Sequence, residues 1–204
     1  FMRALYKLDD SWHIVEEKAD TANPQGKISL HIPPEFPEPN AIGYFKKCTD
    51  LFTELIQKYK GRCLFVASSK KAADAFYNAL FPVCSKEKVA LLAIGNSGGA
   101  GKAGALFLEH PESSILIGTN AAQSSLAELT AHMRVVVFQK IPFDHFADPV
   151  YQMRGENFPD AFSDYTLPKA IMRFKELLLS FGKNRECFVL DSRFLAGPLS
   201  PEGA

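Results

Sequence analysis

Short apolar runs alternate along this chain with longer amphipathic stretches, and this alternation limits the folds open to it. The amphipathic stretches have helical spacing, most clearly over 44–59, 72–81 and 168–181. Strands joined by helices predict a parallel α/β sheet flanked by helices, with right-handed crossovers. Five apolar runs are short enough to be strands covered on both faces, namely 63–67, 89–94, 115–117, 134–138 and 187–190.

The domain boundaries follow from the same pattern. The 204 residues are enough for one domain with a small appendage. Residues 1–40 are interpreted as an extended lead-in, because the prolines at 33, 34, 37 and 39 forbid regular structure, although 28–32 has the composition of a short strand. Residues 41–195 are predicted to form the α/β domain, and 196–204 a tail.

Charge is balanced over the whole chain and unbalanced locally. The formal net charge is zero, so the whole molecule has no electrostatic attraction to nucleic acid or acidic membranes. Residues 46–71 carry seven Lys or Arg against two acidic residues, and 169–185 carry five against one. Each cluster has two interpretations: a phosphate-binding surface, or cations on a solvated helix face and at helix C-termini.

The cysteines and apolar segments indicate the compartment. The four cysteines form no C-x-x-C pair and three lie in apolar runs, which is typical of buried thiols in a reducing compartment. No apolar run approaches the ~20 residues needed to cross a bilayer. We therefore expect a cytoplasmic protein with no membrane partner.

In a parallel sheet, ligands bind at the loops that follow the carboxyl ends of the strands. Here those loops are 68–71, 95–104, 118–125, 140–144 and 191–193. The loop at 96–103 superficially suits a P-loop, but it has Asn96 in place of the first glycine and Ala103 in place of the hydroxyl that contacts Mg²⁺. We therefore expect no ATP site there. Asp144, His145 and Asp148 lack the spacing of a ligand set, and no metal site is predicted.

Several of these loops carry a likeness to one protein family. The chain resembles the C-terminal, RecA-like domain of DinG/XPD-type superfamily-two DNA helicases over roughly residues 30–194. The matching stretches, in chain order, are Pro34-Glu-Phe-Pro-Glu-Pro-Asn40, Gly61-Arg-Cys-Leu-Phe-Val-Ala-Ser-Ser69, Ser114-Ile-Leu-Ile-Gly-Thr119, Val136-Val-Phe-Gln-Lys-Ile-Pro-Phe143 with Asp148-Pro149, and Leu167-Pro-Lys-Ala-Ile171 with Leu190-Asp-Ser-Arg193.

The resemblance implies a RecA-like fold and a motor that moves along single-stranded DNA. It implies ATP and Mg²⁺ held in the full-length protein by an N-terminal helicase lobe, with none bound by this domain alone. Lys183 and Arg185 are then expected nearest the nucleotide, as catalytic cations. Residues expected to contact DNA phosphates are Ser68, Ser69, Lys70 and Thr119. For Ser69, ordinary capping of the following helix is the alternative.

Two departures from the family pattern bear on activity. The family has an acidic signature after Gly118-Thr119, whereas residues 120–127 contain no acidic side chain. The family's arginines have no exact counterpart; Lys183 and Arg185 lie nearby, and lysine cannot supply the planar two-pronged donor set of arginine. An alternative is therefore a helicase-derived interaction module without catalysis. A weaker one is an unrelated small-molecule enzyme that uses the glycine-rich loop. Whether the parent is an enzyme stays open.

Overall fold

A computed structural model describes residues 28–119, 129–143, 147–179 and 185–194. Six strands form one sheet in the order β1-β6-β5-β2-β4-β3, and every neighbouring pair is parallel. Helices flank the sheet. This confirms the predicted fold class, a RecA-like α/β domain. The strands are β1 (Ile28–His31), β2 (Cys63–Ala67), β3 (Ala90–Ala93), β4 (Ser114–Thr119), β5 (Val135–Phe138) and β6 (Arg185–Val189).

The helices follow the sequence pattern closely. Besides the five α-helices, Ala161–Thr166 forms a π-helix that leads directly into the last of them. The α-helices are α1 (Tyr44–Tyr59), α2 (Lys70–Glu87), α3 (Ala100–Glu109), α4 (Pro149–Gly155) and α5 (Leu167–Leu179).

The core lies around the central strand β2, whose five residues are all buried. Phe52 of α1 stacks on Phe65 of β2 with ring centroids 4.1 Å apart, and Phe76 of α2 packs against Phe52. The alternate strand residues Leu64 and Val66 point to the other face and are equally buried. Burial on both faces explains why the strand is apolar throughout.

Several elements differ in detail from the sequence-based expectation. The short strand suggested at 28–32 forms as Ile28–His31, but it joins the edge of the sheet, paired with β6, instead of lying in an extended lead-in. The helix predicted near 105–109 begins at Ala100, so part of the glycine-rich stretch is helical. The left-handed residue that ends α1 is Lys60, with φ 60°, and not Gly61.

Gly61 is required because the backbone of another segment packs closely against it, and not because it ends α1. A Cβ atom at this position would lie 2.1 Å from the backbone oxygen of Glu112, because the start of β2 passes directly against that backbone.

The chain divides into two compact units. One is Pro142–Leu178, in which Tyr165 packs against Tyr151 and Phe158. The other, Gly26–Ile141 with Leu179–Ala204, contains the sheet. Within the parts of the chain that the structure describes, no helix is long and apolar enough to cross a membrane.

The close approach at Gly61 yields a stability prediction. Gly61→Ala should lower the free energy of unfolding by about 1–3 kcal/mol, because the methyl group meets rigid backbone. The matched control is Gly101→Ala in α3, where a Cβ meets nothing within 4 Å and alanine favours the helix by up to ~1 kcal/mol. Urea denaturation of both variants measures the difference. Equal stability of the two would contradict the packing described here.

Candidate functional site at the carboxyl edge of the sheet

The residues predicted to contact phosphate lie together at one edge of the sheet. Ser68, Ser69 and Lys70 follow β2, and Thr119 ends β4. The register pairs Ala67 of β2 with Thr119 of β4, so Thr119 sits beside the start of the Ser68 loop. All four are at least partly accessible to solvent. The parallel arrangement thus brings together residues that are 50 positions apart in the chain.

A buried hydrogen-bond hub holds the loops of this edge in place, and we call it the Tyr44 hub. The Tyr44 hydroxyl shares its one hydrogen between the backbone oxygens of Gln139 and Leu190, which follow β5 and β6. The Gln139 side chain in turn accepts from the Ser68 N–H at 2.8 Å. Three neighbouring strand ends are therefore tied to the first turn of α1, and the Ser68 N–H is engaged within the protein.

Ser69 caps α2. Its Oγ accepts from the Ala72 N–H at 3.1 Å, so the capping alternative raised by the sequence is confirmed. Lys70, the first residue of the helix, extends toward the loop after β3: its Cε lies 3.8 Å from the position that a Cβ on Gly95 would occupy. The Lys70 side chain thus extends from the end of β2 toward the loop after β3.

The glycine-rich loop after β3 is compact. Gly95 and Gly98 adopt φ of 111° and 101° and form a bridge in which the Gly95 N–H donates to the Gly98 oxygen at 2.8 Å. The Lys102 side chain folds over Gly98, since a Cβ there would lie 2.8 Å from its Cδ. The loop therefore packs on itself, with Lys102 covering a glycine.

A buried carboxylate lies after β6. Asp191 is 0% exposed, and its oxygens accept from the Ile141 N–H at 3.2 Å and from Arg193 through Nε and Nη2, both at 2.8 Å. Burial acts to raise the pKa of the Asp191 carboxyl. The hydrogen bonds from Arg193 and Ile141 outweigh it, so the pKa lies below its usual value.

Arg193 is a residue of this edge that the sequence analysis does not predict as a contact. Its side chain is 47% exposed while its partner carboxylate is fully buried. The sequence assigns Leu190-Asp-Ser-Arg193 only to the family likeness. The signal that could have identified Arg193 is an Asp and an Arg two residues apart at the end of an apolar strand.

Of the two residues predicted as catalytic, the structure describes only Arg185. Lys183 lies outside the described residues, as do residues 120–128. Arg185 is the first residue of β6, at the amino edge of the sheet, and its guanidinium donates to the backbone oxygens of Met133 and Ala131. Burial, together with the charge of nearby Arg62, lowers the Arg185 pKa. The described structure thus places Arg185 apart from the residues predicted to contact phosphate, and its role as a catalytic cation stays a prediction.

Other chemistry is limited in the described parts of the chain. They contain no group of three His, Cys, Asp or Glu side chains that could hold a metal ion. Asp148 caps α4, with its Oδ1 accepting from Val150 N–H at 2.9 Å. Burial raises the pKa of Cys48, Cys63 and Cys187 to about 12, so these thiols stay protonated and are poor nucleophiles at neutral pH.

Comparisons with known proteins leave the family open. No protein-family model matches the chain, and no curated protein matches it. Among solved structures, the helicase domain of Hef from Pyrococcus furiosus is similar over 72% of this chain, with a TM-score of 0.41 and 14% sequence identity. This chain covers 26% of that one. The assignment of the fold rests on the six-stranded sheet itself.

The Asp191–Arg193 pair yields a pH prediction. Because the folded pKa of Asp191 is depressed, the pair stabilises the fold fully above about pH 4, and this contribution is lost as pH falls through the folded pKa. Asp191→Asn should cost about 1.5–3 kcal/mol near neutral pH, and the difference from the unmodified protein should shrink in acid.

Urea denaturation across a pH series measures this difference. Asp50→Asn is the control, because Asp50 forms an exposed pair with Lys46 worth ~0.5 kcal/mol at most. A penalty for Asp191→Asn that is the same at neutral and acidic pH would contradict the prediction.

Proposed function

We propose that this chain is the second RecA-like domain of a DinG/XPD-type DNA helicase, and that its carboxyl edge contacts the phosphates of single-stranded DNA. The observation that carries the proposal is the grouping of Ser68, Ser69, Lys70 and Thr119 at that edge. The family likeness implies a phosphate contact for each of the four. Parallel α/β sheets bind ligands at this edge, which supports the proposal independently.

The four residues differ in the donor groups that they have available for a phosphate. The Ser68 N–H is already bonded to Gln139, and the Ser69 Oγ accepts a hydrogen bond from the helix. The donors available for a phosphate are therefore the hydroxyl hydrogens of the two serines, the Lys70 ammonium group and the Thr119 hydroxyl. Lys70 and the neighbouring Lys71 supply positive charge at the N-terminus of α2, where the helix dipole also favours an anion. This predicts weak, salt-sensitive binding without base preference.

ATP and Mg²⁺ belong, in this proposal, to an N-terminal lobe of the full-length protein. The glycine-rich loop lacks the P-loop residues, and Lys102 packs over Gly98. The present domain would close over the nucleotide and contribute a cation, which the family likeness gives as Lys183 or Arg185. The Arg185 guanidinium is already bonded to backbone oxygens, so Lys183 is the better candidate.

A second candidate is an interaction module that keeps the fold and has lost catalysis. The zero net charge favours it, as does the use of the Ser68 N–H and the Arg185 guanidinium in bonds within the protein. The two candidates differ in whether the domain binds single-stranded DNA.

Lys70 tests the DNA contact. The chain should bind oligothymidylate with an affinity that falls with salt, and Lys70→Gln should reduce the slope of log K against log salt by ~0.7, the value for one lost single-strand phosphate contact. Fluorescence anisotropy at several salt concentrations measures this slope. The control is Lys86→Gln, which removes the same charge from the far end of the same helix. An identical slope in both variants would exclude Lys70 as a phosphate contact, and no binding at low salt would favour the interaction module.

Lys183 tests the motor role in the full-length protein. Lys183→Ala should lower the DNA-stimulated kcat of ATP hydrolysis while leaving nucleotide affinity nearly unchanged, because a cation at this place acts on charge developing during transfer. Arg185→Ala is the comparison: it removes hydrogen bonds to Met133 and Ala131 and should lower Tm rather than kcat. Normal turnover in Lys183→Ala would place the catalytic cation elsewhere.

A further inference from the structure

Arg193 stands out at the carboxyl edge because a half-exposed cation is held by a fully buried carboxylate. We propose that Arg193, positioned by Asp191 and flanked by Lys140, is a further phosphate-binding residue that extends the DNA contact from the end of β2 to the end of β6. The inference rests on the proposed function, and it concerns residues that the family likeness did not assign to DNA.

The geometry around Asp191 orients the guanidinium. A carboxylate removed from water is costly unless its oxygens are fully bonded. Asp191 meets this condition by accepting from the Ile141 N–H and from Arg193 Nε and Nη2, with the Arg193 N–H at 3.3 Å as a further donor. Two of the five guanidinium N–H donors are thereby used, and the other three are left for a ligand.

The register places Asp191, the partner of Arg193, level with the predicted contact Ser68. The pairing of β5 with β6 ends at Phe138 and Val189, and that of β2 with β5 ends at Val66 and Phe138. Lys140 and Asp191 therefore lie at equivalent positions, two residues beyond these pairs, as does Ser68. The edge thus presents polar residues from β6, β5, β2 and β4 in succession, across roughly 14 Å at the usual strand spacing.

Lys140 and Arg193 both lie close to Tyr44. The Lys140 Nζ is 5.9 Å from the centroid of the Tyr44 ring, and the charge of Arg193 acts on the same phenol. Tyr44 is buried, so both cations are supported by a rigid group. A side chain held in its binding orientation loses less conformational entropy when a ligand binds.

The charges around Arg193 determine how Arg193 and Lys140 would contribute to phosphate binding. Asp191 and the exposed Glu38, whose charge also acts on Arg193, balance the charges of Arg193 and Lys140. Lys70 and Lys71 add net positive charge to the edge, whereas the Lys140–Arg193 pair adds little. Its contribution is oriented hydrogen-bond donors, and an arginine fork matches two phosphate oxygens where lysine supplies a point charge.

The experiment measures oligothymidylate binding by fluorescence anisotropy at several salt concentrations, for the unmodified chain, Arg193→Gln, Arg193→Lys and Lys86→Gln. Arg193→Gln should weaken binding about tenfold at low salt and reduce the slope of log K against log salt by ~0.7. Arg193→Lys should restore the slope and only part of the affinity. Lys86→Gln removes a charge from the amino edge and should change neither by as much.

A purely structural role for Arg193 has a different signature. It predicts that Arg193→Gln lowers Tm while the salt slope, measured well below Tm, stays unchanged; this result would overturn the inference. A parallel titration with Mg-ATP, which this domain alone is not expected to bind, separates DNA phosphate from nucleotide phosphate. Mg-ATP binding that is lost in Arg193→Gln, with oligothymidylate binding intact, would also overturn it.

The outcome for the unmodified chain separates the two proposals. If the unmodified chain binds oligothymidylate, Lys70→Gln weakens the binding and Arg193→Gln does not, the inference about Arg193 fails while the proposed function stands. If the unmodified chain does not bind oligothymidylate at low salt, the proposed function fails, and the inference fails with it.

Discussion

The pairing of β2 between β4 and β5 is the constraint on which the rest of the sheet depends. All five residues of β2 are buried, so no water reaches its backbone, and its N–H and C=O groups are satisfied by the two neighbouring strands. Both neighbours are parallel to β2, which requires a crossover connection for each. The chain therefore builds β3 and β4 on one side of β2 and β5 and β6 on the other. A consequence of this order is that every strand ends at the same edge.

The Tyr44 hub converts that edge into a fixed surface. One hydroxyl bridges the backbone oxygens of Gln139 and Leu190, and Gln139 engages the Ser68 N–H. Buried polar groups of this kind are stable only when every member is bonded. Because they are bonded within the protein, the Tyr44 hydroxyl, the Ser68 N–H and the Gln139 side-chain oxygen are unavailable to a ligand. What the edge presents outward is therefore a set of side chains, Lys70, Thr119 and Arg193, at the ends of strands that are paired within one sheet.

The sequence predicted much of this architecture because its signals are local. The apolar run at Cys63–Ala67 and the helical spacing of Tyr44–Tyr59 match the observed elements to the residue. The predicted start of α3, near residue 105, lies about five residues after the observed start at Ala100, because glycines in a sequence favour a loop. In the fold, a Cβ at Gly104 would be only 3.2 Å from Leu129, so a small residue serves helix packing there. The edge strand β1 was uncertain for the same reason: its partner, β6, lies more than 150 residues away.

The sequence by itself determined the fold class, the carboxyl-edge loops and the residue types that they carry, because periodicity and loop composition depend on neighbours in the chain. Only the tertiary structure decided which side chains meet. It placed Arg185 at the amino edge, against backbone oxygens, and it paired Arg193 with a carboxylate that is fully buried. These outcomes depend on strand order and register. Neither can be predicted from periodicity along the chain, because residues of distant strands come together only when the strands assemble around β2.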